Sequence, residues 1–258
     1  MRGEQAMAKV PVALQMFTLR DLAREDFPGT LRAVAQIGYA GVELAGYGGL
    51  SGPELKRLLD DVGLAVAGDH VSLDRLENAL GAVIELEHAL GNRFVVVPSI
   101  PEPRRRDAAG YLSVAETLNR IGVQLQREEL QLCYHNHAFE FERIEGQYAL
   151  DLLLGNTDPA LVKWEPDVYW IVRGGEDPAA LIRRYRGRCP LIHLKDMTGD
   201  EARTFAEVGE GIIDFRPIFA AAEEGGVAWY IVEQDRCSRP PLESVRLSFE
   251  HLRTWGIA

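Results

Sequence analysis

Short apolar runs of strand character recur eight times along the chain, and each is followed by a stretch of helical period. The runs are VPVALQM (10–16), GVELA (41–45), LAVAGDHV (64–71), FVVVPSI (94–100), LQLCYHNH (130–137), VKWEPDVYW (162–170), PLIHLKDM (190–197) and WYIVEQ (229–234). The intervening periodicity predicts helices over 27–37, 52–62, 72–90, 107–128, 148–155, 177–186, 214–224 and 241–254. Ser72 precedes LDRLENALGAVIELEHAL, in which Leu73, Leu76, Leu80, Val83, Ile84 and Leu90 form one apolar stripe. Pro53 and Pro178 stand where a first-turn proline is tolerated, and Gly38, Gly63, Gly91 and Gly225 stand where helices end. Nearly continuous apolar strands alternating with helices indicate a parallel sheet covered by helices. Eight such units in 258 residues fit a closed (β/α)8 barrel better than an open sheet, and no Gly-x-Gly-x-x-Gly follows the first strand. With no break in composition, the expectation is one α/β domain over 1–258, residues 1–9 being a flexible N-terminal extension.

Charge and cysteine content narrow the partners. A formal net charge of −11 repels nucleic acid and anionic lipid, so neither is expected as a partner. Three widely spaced cysteines, Cys133, Cys189 and Cys237, without a Cys-x-x-Cys pair read as reduced thiols of a cytoplasmic protein, the first two buried. MRGEQAMAKV lacks the apolar centre of a signal peptide, and no apolar stretch approaches the roughly 20 residues that span a bilayer.

In a barrel of this type, active sites gather at the C-terminal ends of the strands. Those ends are polar in this chain: Gln15, Glu43, His70, His135 with His137, Asp167, His193 with Lys195 and Asp196, and Glu233 with Gln234. Period-two alternation sends Cys133, His135 and His137 inward together, Asp167 inward with Glu165 and Tyr169, and His193 inward with Lys195. Buried unpaired carboxylates and imidazoles are costly, and a divalent cation removes that cost. Asp167, His193 and Glu233, at three successive strand ends, form an oxygen and nitrogen set suited to one Mn²⁺, Mg²⁺, Co²⁺ or Zn²⁺ ion. Any one of them alone could be an ordinary cap or core residue; the constellation carries the inference.

The segments VALQMFTLRD, GYAGVELAG, YHNHAFEFE, DPALVKWEPDVYW, LIHLKDM, FAEVGEGIIDF and WYIVEQD, in this order from residue 12 to 235, resemble the xylose isomerase-like TIM barrel superfamily. The likeness is to its sugar phosphate isomerase/epimerase branch, which includes inosose dehydratases. The resemblance implies a divalent-metal site of two glutamates, an aspartate and a histidine, with Asp167, His193 and Glu233 as three of the ligands. His135 stands about where the sugar epimerases carry the first glutamate, so Glu140 is expected as the fourth ligand, with Glu142 the alternative. The implied chemistry is proton abstraction next to a carbonyl through a metal-stabilised enediolate, with Glu140 and Glu233 as the acid/base pair. His137 is expected to orient or protonate a substrate hydroxyl, and Lys195 to stabilise an oxyanion. Glu43, His70, His135 and Trp170 are expected to contact a sugar or polyol substrate. GEGIIDF (209–215), glycine-rich ahead of a helix, could hold an anion on its amides or simply be a tight turn. Dehydration of an inosose or keto-sugar is the alternative reaction, and a non-catalytic sugar-binding barrel the rival of another class. A multi-metal hydrolase or endonuclease fits poorly, since six histidines, with His88 and His251 on helices, are too few. A homo-oligomer is compatible with all of these readings.

Overall fold

The structure, a computed structural model, describes residues 9–258. The extension expected over residues 1–9 lies, apart from Lys9, outside the described residues. Eight strands form one sheet: β1 (Val12–Gln15), β2 (Gly41–Leu44), β3 (Ala65–His70), β4 (Phe94–Val97), β5 (Gln131–His135), β6 (Val162–Glu165), β7 (Leu191–Leu194) and β8 (Trp229–Val232). Their spatial order is β6-β5-β4-β3-β2-β1-β8-β7, with every neighbouring pair parallel. A parallel bridge between Asp167 and His193, with His193 N donating to Pro166 O at 2.9 Å, joins β6 to β7 and closes the (β/α)8 barrel.

The principal outer helices are α1 (Phe27–Ile37), α2 (Gly52–Val62), α3 (Leu80–Leu90), α4 (Ala108–Arg127), α5 (Ala149–Gly155), α6 (Pro178–Arg184), α7 (Arg216–Gly225) and α8 (Pro241–Thr254). Their ends follow local chemistry. The Asp26 carboxylate accepts Gly29 N at 2.8 Å and Pro28 lies in the first turn of α1, which stops at Gly38 with φ 118°. Ser51 and Glu54 form a reciprocal capping box at α2. The single helix expected over 72–90 is two: Ser72 caps Leu73–Asn78, then Ala79 leaves helical geometry at φ −142° and α3 begins. Among the described residues, no helix is long and apolar enough to cross a membrane. His88 and His251 lie on α3 and α8, away from the barrel interior.

The alternation along the strands sorts the interior into layers. Leu14, Val42, Ile192, Leu194 and Tyr230 face outward into the seam with the helices, where Leu31 and Leu59 are buried; truncating such a leucine costs about 2–5 kcal/mol. Inside the barrel the lower layer is small and apolar: Ala13, Ala67, Val96, Cys133, Leu191 and Ile231. Two residues further along the same strands lie Gln15, His135, His193 and Glu233. The period of two therefore turns an apolar plug into a polar ceiling within a single step.

Candidate active site

The polar layer lies over the apolar plug at the C-terminal ends of the strands. Gln15, Glu43, His135, Glu165, Asp167, His193, Lys195 and Glu233 are all at most 4% exposed. Pro166 ends β6, so Asp167 is not a strand residue; it is the N-cap of a short helix, Val168–Arg173, and its Oδ1 accepts Trp170 N at 3.0 Å. This removes Tyr169 from the inward row expected for an uninterrupted strand: it lies on the helix, its hydroxyl donating to Arg203 O at 2.9 Å. Asn136, just past β5, pins the turn by accepting Asp167 N and Trp164 Nε1, each at 3.0 Å.

Two overlapping groups in this layer could hold a cation. His135, Asp167, His193 and Glu233 offer ligand atoms within 4.8 Å of one another, and so do His70, His135, Glu165 and His193. In the outer group His193 Nδ1 is 2.8 Å from Glu233 Oε2, and His135 Nε2 is 3.7 Å from Asp167 Oδ2. In the inner group Glu165 Oε2 lies 3.1 Å from His135 Nδ1 and 3.2 Å from His70 Nε2. Asp167, His193 and Glu233 thus come together as a set.

Glu140, expected as the fourth donor, is turned away from both groups. One of its oxygens accepts the Tyr134 hydroxyl and the other accepts His137 N at 2.8 Å. Tyr134 belongs to the outward row of β5, packed in the seam with the helices, so the carboxylate anchored to it sits behind the strand. Burial pushes Glu140 up to about 7 despite these bonds. Glu142 is exposed and supplies no donor either.

Lys195 lies where two of the acidic groups meet. Its Nζ is 2.8 Å from Asp167 Oδ2, 2.9 Å from Glu233 Oε2 and 2.7 Å from Asp235 Oδ1. Burial opposes the charge on Lys195, but the three carboxylates overcome it and hold the ammonium protonated. Burial also opposes ionisation of Glu233, and Lys195 with His193 reverses that, leaving Glu233 well below the usual carboxylate range. Burial lifts Asp167 to about 6 even with Lys195 beside it. His135 is held well below its ordinary value by burial and by the positive charge of His193, so it is a neutral imidazole.

A cavity of 360 Å³ opens above the cluster, bounded by Phe17, Ser72, Ser99, His137 and Asp235, with His70, His135, Lys195 and Glu233 reaching it from below. Burial and Lys195 depress His137 to about 4, and its buried Nδ1 has no partner. Trp170 flanks His137, ring centres 5.4 Å apart, with a buried Nε1 that also lacks a partner. Glu43 does not reach the cavity: it is fully buried below it, 2.6 Å from Gln15 Nε2, 2.7 Å from His193 Nε2 and 3.0 Å from His70 Nε2. Asp235 and a role for Glu165 were not foreseen from the sequence; the one signal for Glu165 is its place two residues after Lys163 on the inward row of β6. A 670 Å³ groove lined by Phe215, Phe219 and Trp255 holds none of the clustered histidines.

The GEGIIDF loop binds the chain itself. Gly209 N and Gly211 N donate to Asp196 Oδ2 at 3.0 Å each, and Ile213 N donates to Asp196 Oδ1 at 3.1 Å. The amides that might have cradled an anion are filled by an internal carboxylate.

Similarities to known proteins agree with this architecture. The chain is 27% identical to an inosose dehydratase of Geobacillus kaustophilus, over 88% of this chain and 90% of that protein. A solved sugar phosphate isomerase/epimerase of Parabacteroides distasonis superposes with a TM-score of 0.83 at 28% identity, covering 97% of this chain and 96% of that one. A D-psicose 3-epimerase of Clostridium cellulolyticum shares the fold, with a TM-score of 0.69 at 15% identity, over 95% and 98% of the two chains. The family described as xylose isomerase-like TIM barrel matches residues 31–255. With eight parallel strands closed into a barrel and histidines and carboxylates gathered at their C-terminal ends, the chain belongs to the xylose isomerase-like TIM barrel family.

Proposed function

We propose that this protein is a divalent-metal-dependent isomerase or epimerase of a neutral sugar or keto-polyol, acting by proton abstraction next to a carbonyl. The observation that carries the reading is the outer group: two imidazoles and two carboxylates, buried within 4.8 Å of one another beside a substrate-sized cavity. Lys195 offsets part of the negative charge of Asp167 and Glu233, and a divalent ion held by the two imidazoles and two carboxylates would add to it. The donor set is N₂O₂ without thiolate, which suits Mn²⁺, Co²⁺ or Zn²⁺ better than Mg²⁺. His135, Asp167, His193 and Glu233 would hold the ion, His135 replacing the Glu140 expected from sequence. When bound, the ion would act as a Lewis acid toward negative charge developing on the substrate.

The residues divide the remaining work. Glu233 borders the cavity from the metal side, so it is the group placed to take the proton from carbon. His137, neutral and with a free Nδ1 at the cavity wall, accepts or returns a proton at a substrate hydroxyl. Lys195 keeps its charge next to the reacting carbons and favours the enediolate. Phe17 on the cavity wall offers an apolar face to the sugar's C–H groups, while Trp170 stands against His137 rather than on the wall. A neutral substrate is favoured because the anion-binding candidate loop is occupied by Asp196 and Lys195 is already matched by three carboxylates.

Loss of a β-hydroxyl from the same enediolate is the second reading, supported by the similarity to an inosose dehydratase along most of the chain. The test is incubation in D₂O with a panel of unphosphorylated ketoses and inososes, with and without Mn²⁺ or Co²⁺. Metal-dependent deuterium incorporation next to the carbonyl is expected, with inversion at that carbon for an epimerase, a moved carbonyl for an isomerase and loss of water for a dehydratase. Tight sugar binding without any incorporation would instead make the protein a binding module.

A further inference from the structure

Glu43 and Glu165 take no part in the chemistry above, yet both are fully buried beneath the cluster, and Oε1 of each has no hydrogen-bond partner. Their Oε2 atoms converge on the two imidazoles of the outer group. Glu165 Oε2 is 3.1 Å from His135 Nδ1, while the other nitrogen of that ring, Nε2, faces Asp167. His193 repeats the arrangement with its nitrogens exchanged. Its Nε2 is 2.7 Å from Glu43 Oε2 and 3.3 Å from Glu165 Oε2, and its Nδ1 faces Glu233. Each ring therefore stands between an inner carboxylate and an outer one.

An imidazole that ligates a cation is neutral, with one N–H and one lone pair, so the nitrogen that donates decides where the lone pair points. Donation inward satisfies Glu165 and Glu43 and leaves both lone pairs converging with Asp167 and Glu233 on a common point. Donation outward would aim the lone pairs at the inner carboxylates, repelling them. The inner carboxylates are themselves fixed. His135 and Glu165 are register partners on adjacent strands, and Gln15 Nε2 donates to Glu43 at 2.6 Å while Gln15 Oε1 accepts Phe17 N at 2.9 Å. At Gly68 a Cβ would come within 2.7 Å of Glu43 Oε1, so the glycine leaves room for that side chain. Glu233 borders the cavity and the inner carboxylates do not, so a cation in the outer group would share a carboxylate with the wall of the substrate space.

We propose that Glu165 and Glu43 are positioning residues that hold His135 as the Nδ1–H tautomer and His193 as the Nε2–H tautomer, so that their free nitrogens face one outer cation site. This inference rests on the cation site proposed above. Buried carboxylates that accept the second N–H of a ligating histidine raise its basicity and fix its ring, and their loss typically weakens metal binding by about 10–100-fold.

The experiment is Zn²⁺ binding to metal-free protein by chelator competition, in the wild type, Glu165→Gln and Asp167→Ala, with ¹⁵N-histidine NMR of the wild type in both metal-free and zinc-loaded forms. Glu165→Gln keeps the shape but exchanges a charged acceptor for a neutral amide. Expected are one ion per wild-type chain, an affinity weaker by about 10–100-fold in Glu165→Gln with unchanged stoichiometry, and loss of the ion in Asp167→Ala. In the zinc-loaded wild type, His135 should carry its proton on Nδ1 and His193 on Nε2; this readout needs no variant and stands if Glu165→Gln fails to fold. Unchanged affinity in a folded Glu165→Gln, or a His135 proton on Nε2, overturns the positioning role while leaving the outer site intact. Retention of zinc in Asp167→Ala with its loss in Glu165→Gln would make Glu165 a ligand of the inner group and overturn the proposal. Absence of zinc binding by the wild type overturns both this inference and the metal-dependent reading.

Discussion

Replacing Lys195 by methionine removes a buried ammonium from three carboxylates at once. Lys195 is 1% exposed and contacts Asp167, Glu233 and Asp235 at 2.8, 2.9 and 2.7 Å. Methionine restores much of the volume, so the loss is electrostatic: Asp167 and Glu233 are left buried without their cation. Removing one partner of a buried pair costs about 3–5 kcal/mol. A chain of 258 residues has an unfolding entropy of about 0.54 kcal/mol/K at roughly 2.1 cal/mol/K per residue. Lys195→Met should therefore lower the Tm of the metal-free protein by about 6–9 °C. The pH dependence follows from Asp167, which burial already lifts to about 6. Without Lys195 its folded-state pKa rises further, so the variant gains stability relative to wild type as the pH falls and Asp167 takes up a proton. A divalent ion should recover much of the loss, because it supplies the missing positive charge to the same carboxylates; saturation to 100 times Kd returns about 2.7 kcal/mol. Differential scanning calorimetry at pH 5.5 and 7.5, with and without Mn²⁺, reads all three effects. A shift below about 2 °C in metal-free protein at pH 7.5 would refute the assignment of Lys195 as the internal counter-charge.

Asp167→Ala and His193→Ala should each lose the bound divalent ion, read by elemental analysis after dialysis; full retention in both would remove the outer site. Glu140→Gln should keep one ion per chain yet unfold more easily by about 1–3 kcal/mol, since it disturbs the bonds to Tyr134 and His137 N; metal loss in a folded variant would return Glu140 to the site. Outside the barrel mouth, burial and the neighbouring Asp69 push Glu87 up to about 9, against an ordinary glutamate near 4.3 when unfolded. The unfolded chain binds fewer protons between these values, so this group lowers stability as the pH rises through that window. Glu87→Gln should flatten the decline, and urea denaturation at pH 5.5 and 8 giving the same difference in both proteins would exclude it.

Much of the site was legible because a parallel barrel reduces it to one rule. Every strand ends on the same side, so His135, Asp167, His193 and Glu233, scattered over nearly a hundred residues, could be read as one ring of strand ends. Where the backbone leaves the strand, that rule fails. Pro166 turns the chain so that Asp167 caps a helix and Tyr169 leaves the inward row. Past His135 the chain enters a 3-10 turn over Phe139–Phe141, and that turn carries Glu140 behind β5 to Tyr134. The GEGIIDF amides met their anion within the chain, in Asp196, a pairing across a loop that no local spacing encodes.

The sequence by itself therefore determined the barrel, its apolar plug and the identity of the strand ends that face the interior, because hydrophobic periodicity and helix punctuation act over a few residues and are written locally. Only the tertiary structure decided which nitrogen of each histidine faces which carboxylate, that Glu165 and Glu43 lie beneath the cluster, that Lys195 bridges three acids, and that His135 rather than Glu140 completes the outer group. Those choices depend on ångström-scale distances between side chains from different strands, and such distances exist only once the sheet has closed.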